Sequence, residues 1–167
     1  MNYTIGPLTQ NVDTTGFDCG EEALDAYLQR YASQDIKRGV ARVFVATAAG
    51  LPQEVAGFYT LSAASIAAET LPEPLRKKLP RYPIPVAMLG RLAVSTKAQG
   101  QGLGSILLAD ACKRVVAASE ILAVSAIVVD AKSAQAATFY QYFGFIELPG
   151  RPGRWLLQRS RFALLAS

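Results

Sequence analysis

The 167-residue chain contains no histidine and only two cysteines. Without imidazole, Ser–His–Asp and Cys–His schemes of nucleophilic catalysis are excluded. A structural zinc needs about four N or S ligands. Cys19 and Cys112 lie far apart, form no CxxC and do not complete such a set, so no metal is expected. Two isolated thiols suit a reduced compartment better than a disulfide scaffold, which points to the cytoplasm. Long apolar runs are also missing, and none reaches bilayer-spanning length. The opening "MNYTIGPLTQ" has no basic stretch followed by an apolar one, so no signal peptide is expected. An excess of one charge is nearly absent: 17 Lys and Arg face 13 Asp and Glu, a net +4. With imidazole gone, any acid–base chemistry falls to Tyr, Asp, Glu, Lys, a chain terminus or the substrate itself.

What is present is a globular composition, 51% hydrophobic and 18% charged, with enough chain for one domain spanning 1–167. The modest charge is clustered. "PLRKKLPRYP" gathers Arg76, Lys77, Lys78 and Arg81, and "RPGRWLLQRSR" gathers Arg151, Arg154, Arg159 and Arg161. Such clusters either contact phosphates or form a solvated face.

Along the chain, "YTI" reads as a short edge strand. "DCGEEALDAYLQRYASQDIKRG" reads as a helix: Asp18 or Cys19 stands near its start, acids fill the first turn, and Leu24, Tyr27, Leu28 and Tyr31 form the apolar stripe. Gly39 is a natural stop. "ARVFVATA" and "EVAGFYTLSA" are strands joined by "AGLPQ". "LPEPLRKKLP" is a short helix or loop, and "IPVAMLGRLAV" is a strand whose internal Gly90 marks a bulge or a close backbone approach. A helix follows from about Leu103 to Ala118, then a buried strand in "LAVSAIVVDA" and a helix in "SAQAATFYQYF". "GFIEL" and "RWLLQRSRFALLA" are expected to supply the closing strands. The order predicts an α/β or α+β class with a mixed, partly parallel sheet.

"QGQGLGSILL" places Gly100, Gly102 and Gly104 where a strand gives way to a helix. The first N–H groups of a helix lack intrahelical partners, and the dipole makes that end partly positive. Glycines let an anion reach the backbone itself, and a phosphate or pyrophosphate is the obvious guest; a tight ligand-free turn is the alternative. A Walker loop does not fit, because no Lys-Ser/Thr pair follows Gly104. The G-x-G-x-x-G dinucleotide fingerprint does not fit either.

The pattern that does fit is Q-x-x-G-x-G at Gln99, Gly102 and Gly104, after "GRLAV" and before "VVDAKSAQAATFYQYFGF", which contains A-x-x-F-Y-x-x-x-G-F. Together these segments resemble the GNAT (Gcn5-related) N-acetyltransferases, over roughly residues 86 to 146. A narrower resemblance runs almost end to end: "FDCGEEALDAYLQRYASQDIKRGVARVFV", "GFYTLSAASI" and "LPRYPIPVAMLGRLAVSTKAQGQGLG" are similar to GNAT toxins of bacterial type II toxin–antitoxin pairs. The resemblance implies a GNAT fold whose central mixed sheet, flanked by helices, holds acetyl-CoA at splayed strands. It implies acetylation of the α-amino group of aminoacyl-tRNA, which blocks translation. It further implies a ribbon–helix–helix antitoxin that neutralises the toxin, carries it to DNA and represses the operon, as well as a homodimer in a bacterial cytoplasm, with no membrane role.

The same resemblance implies roles for particular residues. Tyr140 stands where the family has the tyrosine beside the CoA sulfur and would be the catalytic acid; without the family it reads as one more core aromatic. Tyr142, two residues on, faces elsewhere on the helix and is a poor substitute. Leu92, Ala93 and Val94 would pair with the pantetheine arm. Gln99, Gly100, Gln101, Gly102, Leu103, Gly104 and Ser105 would line the pyrophosphate, and Ser133 and Phe139 would touch the CoA arm from the other side. Lys97 is either beside a CoA phosphate or a solvated loop charge. Asp130 is either a base or a helix cap. The α-amine of an aminoacyl ester is weakly basic, so a dedicated base is not required. Phosphate contacts to tRNA would come from Lys37, Arg38, Arg42, Arg76, Lys77, Lys78, Arg81 and Arg91, although Arg91 lies inside a strand and has a structural alternative. Two other functions remain open on the sequence. One is a GNAT enzyme acting on a polyamine, an antibiotic or a protein N-terminus. The other is a non-catalytic CoA-binding interaction domain.

Overall fold

The computed structural model describes residues 2–166. Its strands are β1 (Tyr3–Pro7), β2 (Arg42–Ala48), β3 (Gly57–Ile66), β4 (Ile84–Val94), β5 (Ala126–Asp130), β6 (Ile146–Glu147) and β7 (Arg154–Gln158). They form one mixed sheet in the order β1–β2–β3–β4–β5–β7–β6. The helices are α1 (Glu22–Ala26), α2 (Ala32–Arg38), α3 (Glu73–Arg76), α4 (Leu103–Ala118), α5 (Ala134–Tyr142) and α6 (Arg159–Leu165). Among the described residues no helix is long and apolar enough to cross a membrane. The chain divides into two compact units, residues 1–62 with 90–111 and residues 63–89 with 112–167.

In the first unit, β1, β2 and β3 pair antiparallel, with Ile5 opposite Ala46 and Val45 opposite Phe58. The alternation of "RVFVATA" sends Val43 and Val45 into a core with Phe17, Tyr27, Leu28, Phe58 and Ala93. Phe58 anchors it, meeting Phe17 edge-on at 5.5 Å and stacking with Tyr27 at 6.3 Å. A side chain at Gly57 would put its Cβ 2.9 Å from the Ala93 carbonyl, so only glycine permits this approach.

The expected first helix is α1 and α2 joined by a π-helical segment, Tyr27–Tyr31. Asp18 and Cys19 lie just before its start, where the N-cap is Glu21, and Asp25 reaches back, its carboxylate accepting from the Cys19 N–H at 2.9 Å. One expectation needs correction. Tyr31 is 53% exposed and drops out of the apolar stripe. The wider π-helical turn carries the buried face from Tyr27 and Leu28 to Ala32. Gly39 ends α2 at φ +71°, as its type suggests.

In the second unit, β5 pairs antiparallel with β7, and β7 with β6. β4 pairs parallel with β5 only from Val86–Met88 to Ala126–Val128. Ile66, Leu71, Ile84, Val86, Val128, Leu148 and Leu156 make the core. Here the expected C-terminal strand is half wrong: "RWLLQ" is β7, but "RSRFALL" is α6. Gln158 pairs with Ala126, the first residue of β5, so beyond it the chain has no β5 partner left. A helix satisfies the backbone internally and sinks Phe162 to 1% exposure.

Candidate active site

In the first unit, β4 ends at Val94 and runs through a short 3₁₀ turn, Thr96–Ala98, into the glycine segment. The Ser95 N–H donates to the Ala56 carbonyl and the Thr96 N–H to the Asp18 carbonyl, both at 2.8 Å, which fixes the strand exit. The Gln99 side-chain amide donates to the Cys19 carbonyl at 3.0 Å and to the Val94 carbonyl at 2.9 Å. The Tyr3 hydroxyl donates to Gln101 Oε1 at 3.2 Å. Both glutamine side chains are thus turned to the protein, so they shape the loop and leave its backbone to meet a ligand.

Gly100 and Gly102 have φ of +80° and +82°, left-handed values that a side chain strongly disfavours. Gly104 lies in the first turn of α4 and needs no such freedom. The Ile106 N–H finds the Gly102 carbonyl at 3.2 Å, while the amides of the preceding positions open the helix without intrahelical acceptors. The donors, the absent Cβ atoms and the helix dipole together suit a diphosphate. Leu92, Ala93 and Val94 lie just upstream on β4, past Met88, where its pairing with β5 has ended. Lys97 is held by Glu54 at 3.3 Å, with both side chains exposed, so it reads as a loop charge.

In the second unit, α5 is capped by Ser133, whose hydroxyl accepts from the Ala136 N–H at 3.0 Å. Tyr140 is 6% exposed and sits in an aromatic group, 5.2 Å from Phe139 and 5.1 Å from Phe145 between ring centres. Its hydroxyl makes no hydrogen bond with any described residue. Burial pushes the phenol far above the usual tyrosine range, so it stays protonated and able to donate. Phe139 is half-buried and also meets Phe143, whereas Tyr142 is 82% exposed.

Asp130 does not cap α5, whose N-cap is Ser133. Arg154 grips it with two bonds, Nε to Oδ1 at 2.8 Å and Nη2 to Oδ2 at 2.9 Å. Those bonds hold its carboxyl below the usual range, so it is a weak proton acceptor.

The basic residues named from the sequence divide between the units. Lys37, Arg38 and Arg42 are exposed in the first, on α2 and the start of β2. Arg91 is half-buried on β4, its guanidinium carbon 3.5 Å from the centre of the Tyr27 ring. In the second unit Arg76, Lys77, Lys78 and Arg81 are all exposed, and Lys77 is paired with Glu73 at 3.2 Å. Arg76, Lys77 and Arg81 line a cavity of about 600 Å³ together with Glu69, Glu73 and Leu79. The sequence reading did not single out Tyr27 or Asp35 for any role beyond the helix. The only signal was a tyrosine and an aspartate eight residues apart on one helical stretch.

The family model for the acetyltransferase (GNAT) domain matches residues 39–147. The chain belongs to the GNAT acetyltransferase family. It is 41% identical over 140 residues to a tRNA-acetylating toxin of Mycobacterium tuberculosis, covering 84% of this chain and 82% of that protein. Its fold is similar to a solved structure of AtaT complexed with acetyl-methionyl-tRNAfMet, with a TM-score of 0.91 and 32% identity over 99% of this chain and 100% of that one. It is also similar to a tyrosine-to-phenylalanine mutant of the AtaT toxin bound to acetyl-CoA and the C-terminus of the antitoxin AtaR, with a TM-score of 0.83 and 30% identity over 99% and 98% of the two chains. For this GNAT chain the seven-stranded mixed sheet and flanking helices are therefore those of the family.

Proposed function

We propose that the chain is a toxin N-acetyltransferase that moves the acetyl group of acetyl-CoA to the α-amino group of aminoacyl-tRNA and so blocks translation. The observation that carries this reading is the end-to-end likeness to AtaT, whose solved complex holds the acetylated product, acetyl-methionyl-tRNAfMet. The division into two units cuts through β3, β4 and α4, and we read residues 1–167 as a single GNAT domain.

The amides from Gly100 to Ser105 bind the pyrophosphate, and the backbone of Leu92–Val94 pairs with the pantetheine arm as an added strand. Acetyl-CoA supplies an activated thioester. The neutral α-amine attacks its carbonyl carbon; a C–N bond forms and the C–S bond breaks. The Tyr140 hydroxyl keeps its proton and donates a hydrogen bond to the departing sulfur; the amine sheds its proton to solvent and the thiolate takes one up from solvent. Asp130 is committed to Arg154, and the low basicity of an aminoacyl ester amine makes a protein base unnecessary. Ser133 caps α5 and Phe139 packs beside Tyr140, so both hold the donor-bearing helix in place.

Lys37, Arg38, Arg42, Arg76, Lys78 and Arg81 supply phosphate contacts to the tRNA, with Lys77 partly neutralised by Glu73. The partner is a ribbon–helix–helix antitoxin that carries the toxin to DNA, and the toxin is a homodimer in a bacterial cytoplasm. The antitoxin part is supported by the AtaT–AtaR likeness.

The test is incorporation of radiolabelled acetyl from acetyl-CoA into total charged tRNA, alongside the same tRNA stripped of its amino acids. Label is expected only in the charged sample. Equal labelling of stripped tRNA, or none in either, contradicts the reading.

A further inference from the structure

Arg91 differs from the other cations in what it rests on. Its guanidinium lies 3.5 Å over the Tyr27 ring, within stacking distance. The ring itself is fixed. Tyr27 is 5% exposed, stacks with Phe58, and donates its hydroxyl to Asp35 Oδ2 at 2.9 Å. That bond to a carboxylate enriches the phenol's electron density and strengthens its hold on a cation. Tyr27 also opens the π-helical segment Tyr27–Tyr31, a local geometry that recurs at functional sites.

Arg91 makes no hydrogen bond or ion pair with any described residue. One face of its guanidinium is spent on the ring, while its five N–H groups lie in the plane as a fork. No Arg91 nitrogen is among the buried polar atoms left without a partner in the described residues, so the fork is open to an acceptor brought by a ligand. Arg91 directly precedes Leu92 on β4, and strand alternation puts it on the same face as Ala93, which packs in the core cluster that includes Tyr27.

We propose that Arg91, held flat on Tyr27, is an oriented receptor for a substrate phosphate, taking two of its oxygens bidentately, with Tyr27 and Asp35 as positioning residues. The phosphate is either a phosphodiester of aminoacyl-tRNA or one of the phosphates of CoA. The first source rests on the function proposed above; the second does not.

Arg91→Lys tests the geometry, because it keeps the charge and loses the planar fork. Two readouts separate the sources: steady-state kinetics with aminoacyl-tRNA, and calorimetric affinity for acetyl-CoA. If the phosphate is that of tRNA, KM for aminoacyl-tRNA rises about tenfold with the effect confined to KM, and acetyl-CoA affinity is retained. If it is that of CoA, acetyl-CoA affinity falls by about the same factor. Tyr27→Phe keeps the ring but drops the bond to Asp35, and is expected to move the same parameter by a smaller amount. Folded Arg91→Lys and Arg91→Gln proteins with wild-type values for both substrates overturn the proposal. A wild-type protein that fails to acetylate charged tRNA overturns the function instead, and the acetyl-CoA measurement still reads Arg91. An independent readout needs no variant: the Arg91 Nε–H NMR signal of the wild-type protein, shielded by the ring, shifts on adding one of the two substrates. A signal unmoved by both contradicts the proposal.

Discussion

Burial keeps the Tyr140 phenol protonated and makes it a lasting hydrogen-bond donor, and this decides how it takes part. Its folded pKa is raised by burial, so the protonated form persists to higher pH than in a free tyrosine. The rate should rise as the substrate amine loses its proton, below the pH ~8 of an ordinary α-amine because the ester makes it less basic, with no descending limb from Tyr140 before pH ~10. A pH–kcat profile that falls between these values contradicts the assignment. Tyr140→Phe removes one oxygen and keeps the ring, so acetyl-CoA affinity should survive while kcat drops by about 10²-fold. Tyr142→Phe is the control, since that side chain is 82% exposed and should leave kcat near wild type. The sequence could name Tyr140 through its motif. It could not show that Arg91 lies on Tyr27, 64 positions away, or that the Gln99 amide is spent on the Cys19 carbonyl, 80 positions away. Contacts at such separations depend on register and packing, which a local pattern does not encode.

The secondary elements were the most legible part of the sequence. α4 runs from Leu103 to Ala118 and β4 from Ile84 to Val94, as the glycine punctuation and apolar runs imply. Local pattern and structure part where a neighbouring element decides the outcome. α6 replaces an expected strand because β5 has run out, and the π-helical segment shifts a stripe that simple helical periodicity placed on Tyr31.

Two predictions belong to the elements. Gly102→Glu forces a side chain into a φ of +82° and sets a carboxylate at the mouth of α4. It should abolish acetyl-CoA binding in a protein that still folds, with Gly102→Ala less severe. Unchanged calorimetric affinity in Gly102→Glu contradicts the placement of the anion site. The second concerns the Asp130–Arg154 pair that ties β5 to β7, whose side chains are 30% and 15% exposed. Because the folded pKa of Asp130 is depressed, its contribution is full above the unfolded value near 3.8 and is lost as pH falls through the folded value. Asp130→Asn should cost about 1–2 kcal/mol at neutral pH, and the difference from wild type should shrink below pH ~4. A melting-temperature gap that persists unchanged in acid contradicts this.

At the scale of the whole molecule, the net charge of +4 is too small to explain tRNA recognition, so placement of the cations matters more than their number. Arg76 and Arg81 line the 600 Å³ cavity, and Lys78 stands between them in the chain. Replacing all three by Ala should weaken aminoacyl-tRNA turnover and flatten its salt dependence by about one unit of slope per lost phosphate contact, leaving acetyl-CoA affinity intact. An unchanged slope would make this a solvated surface. The position of the transferred acetyl group tests the proposed reaction most directly. Charged tRNA treated with the protein and acetyl-CoA can be digested with a nuclease that releases its terminal aminoacyl-adenosine, and the fragment weighed and sequenced by mass spectrometry. The expected result is one acetyl group on the α-amino nitrogen of wild-type-treated samples, formed about 10²-fold more slowly with Tyr140→Phe. Acetyl found on a side chain or on the nucleotide, or nowhere in the terminal fragment, would contradict it.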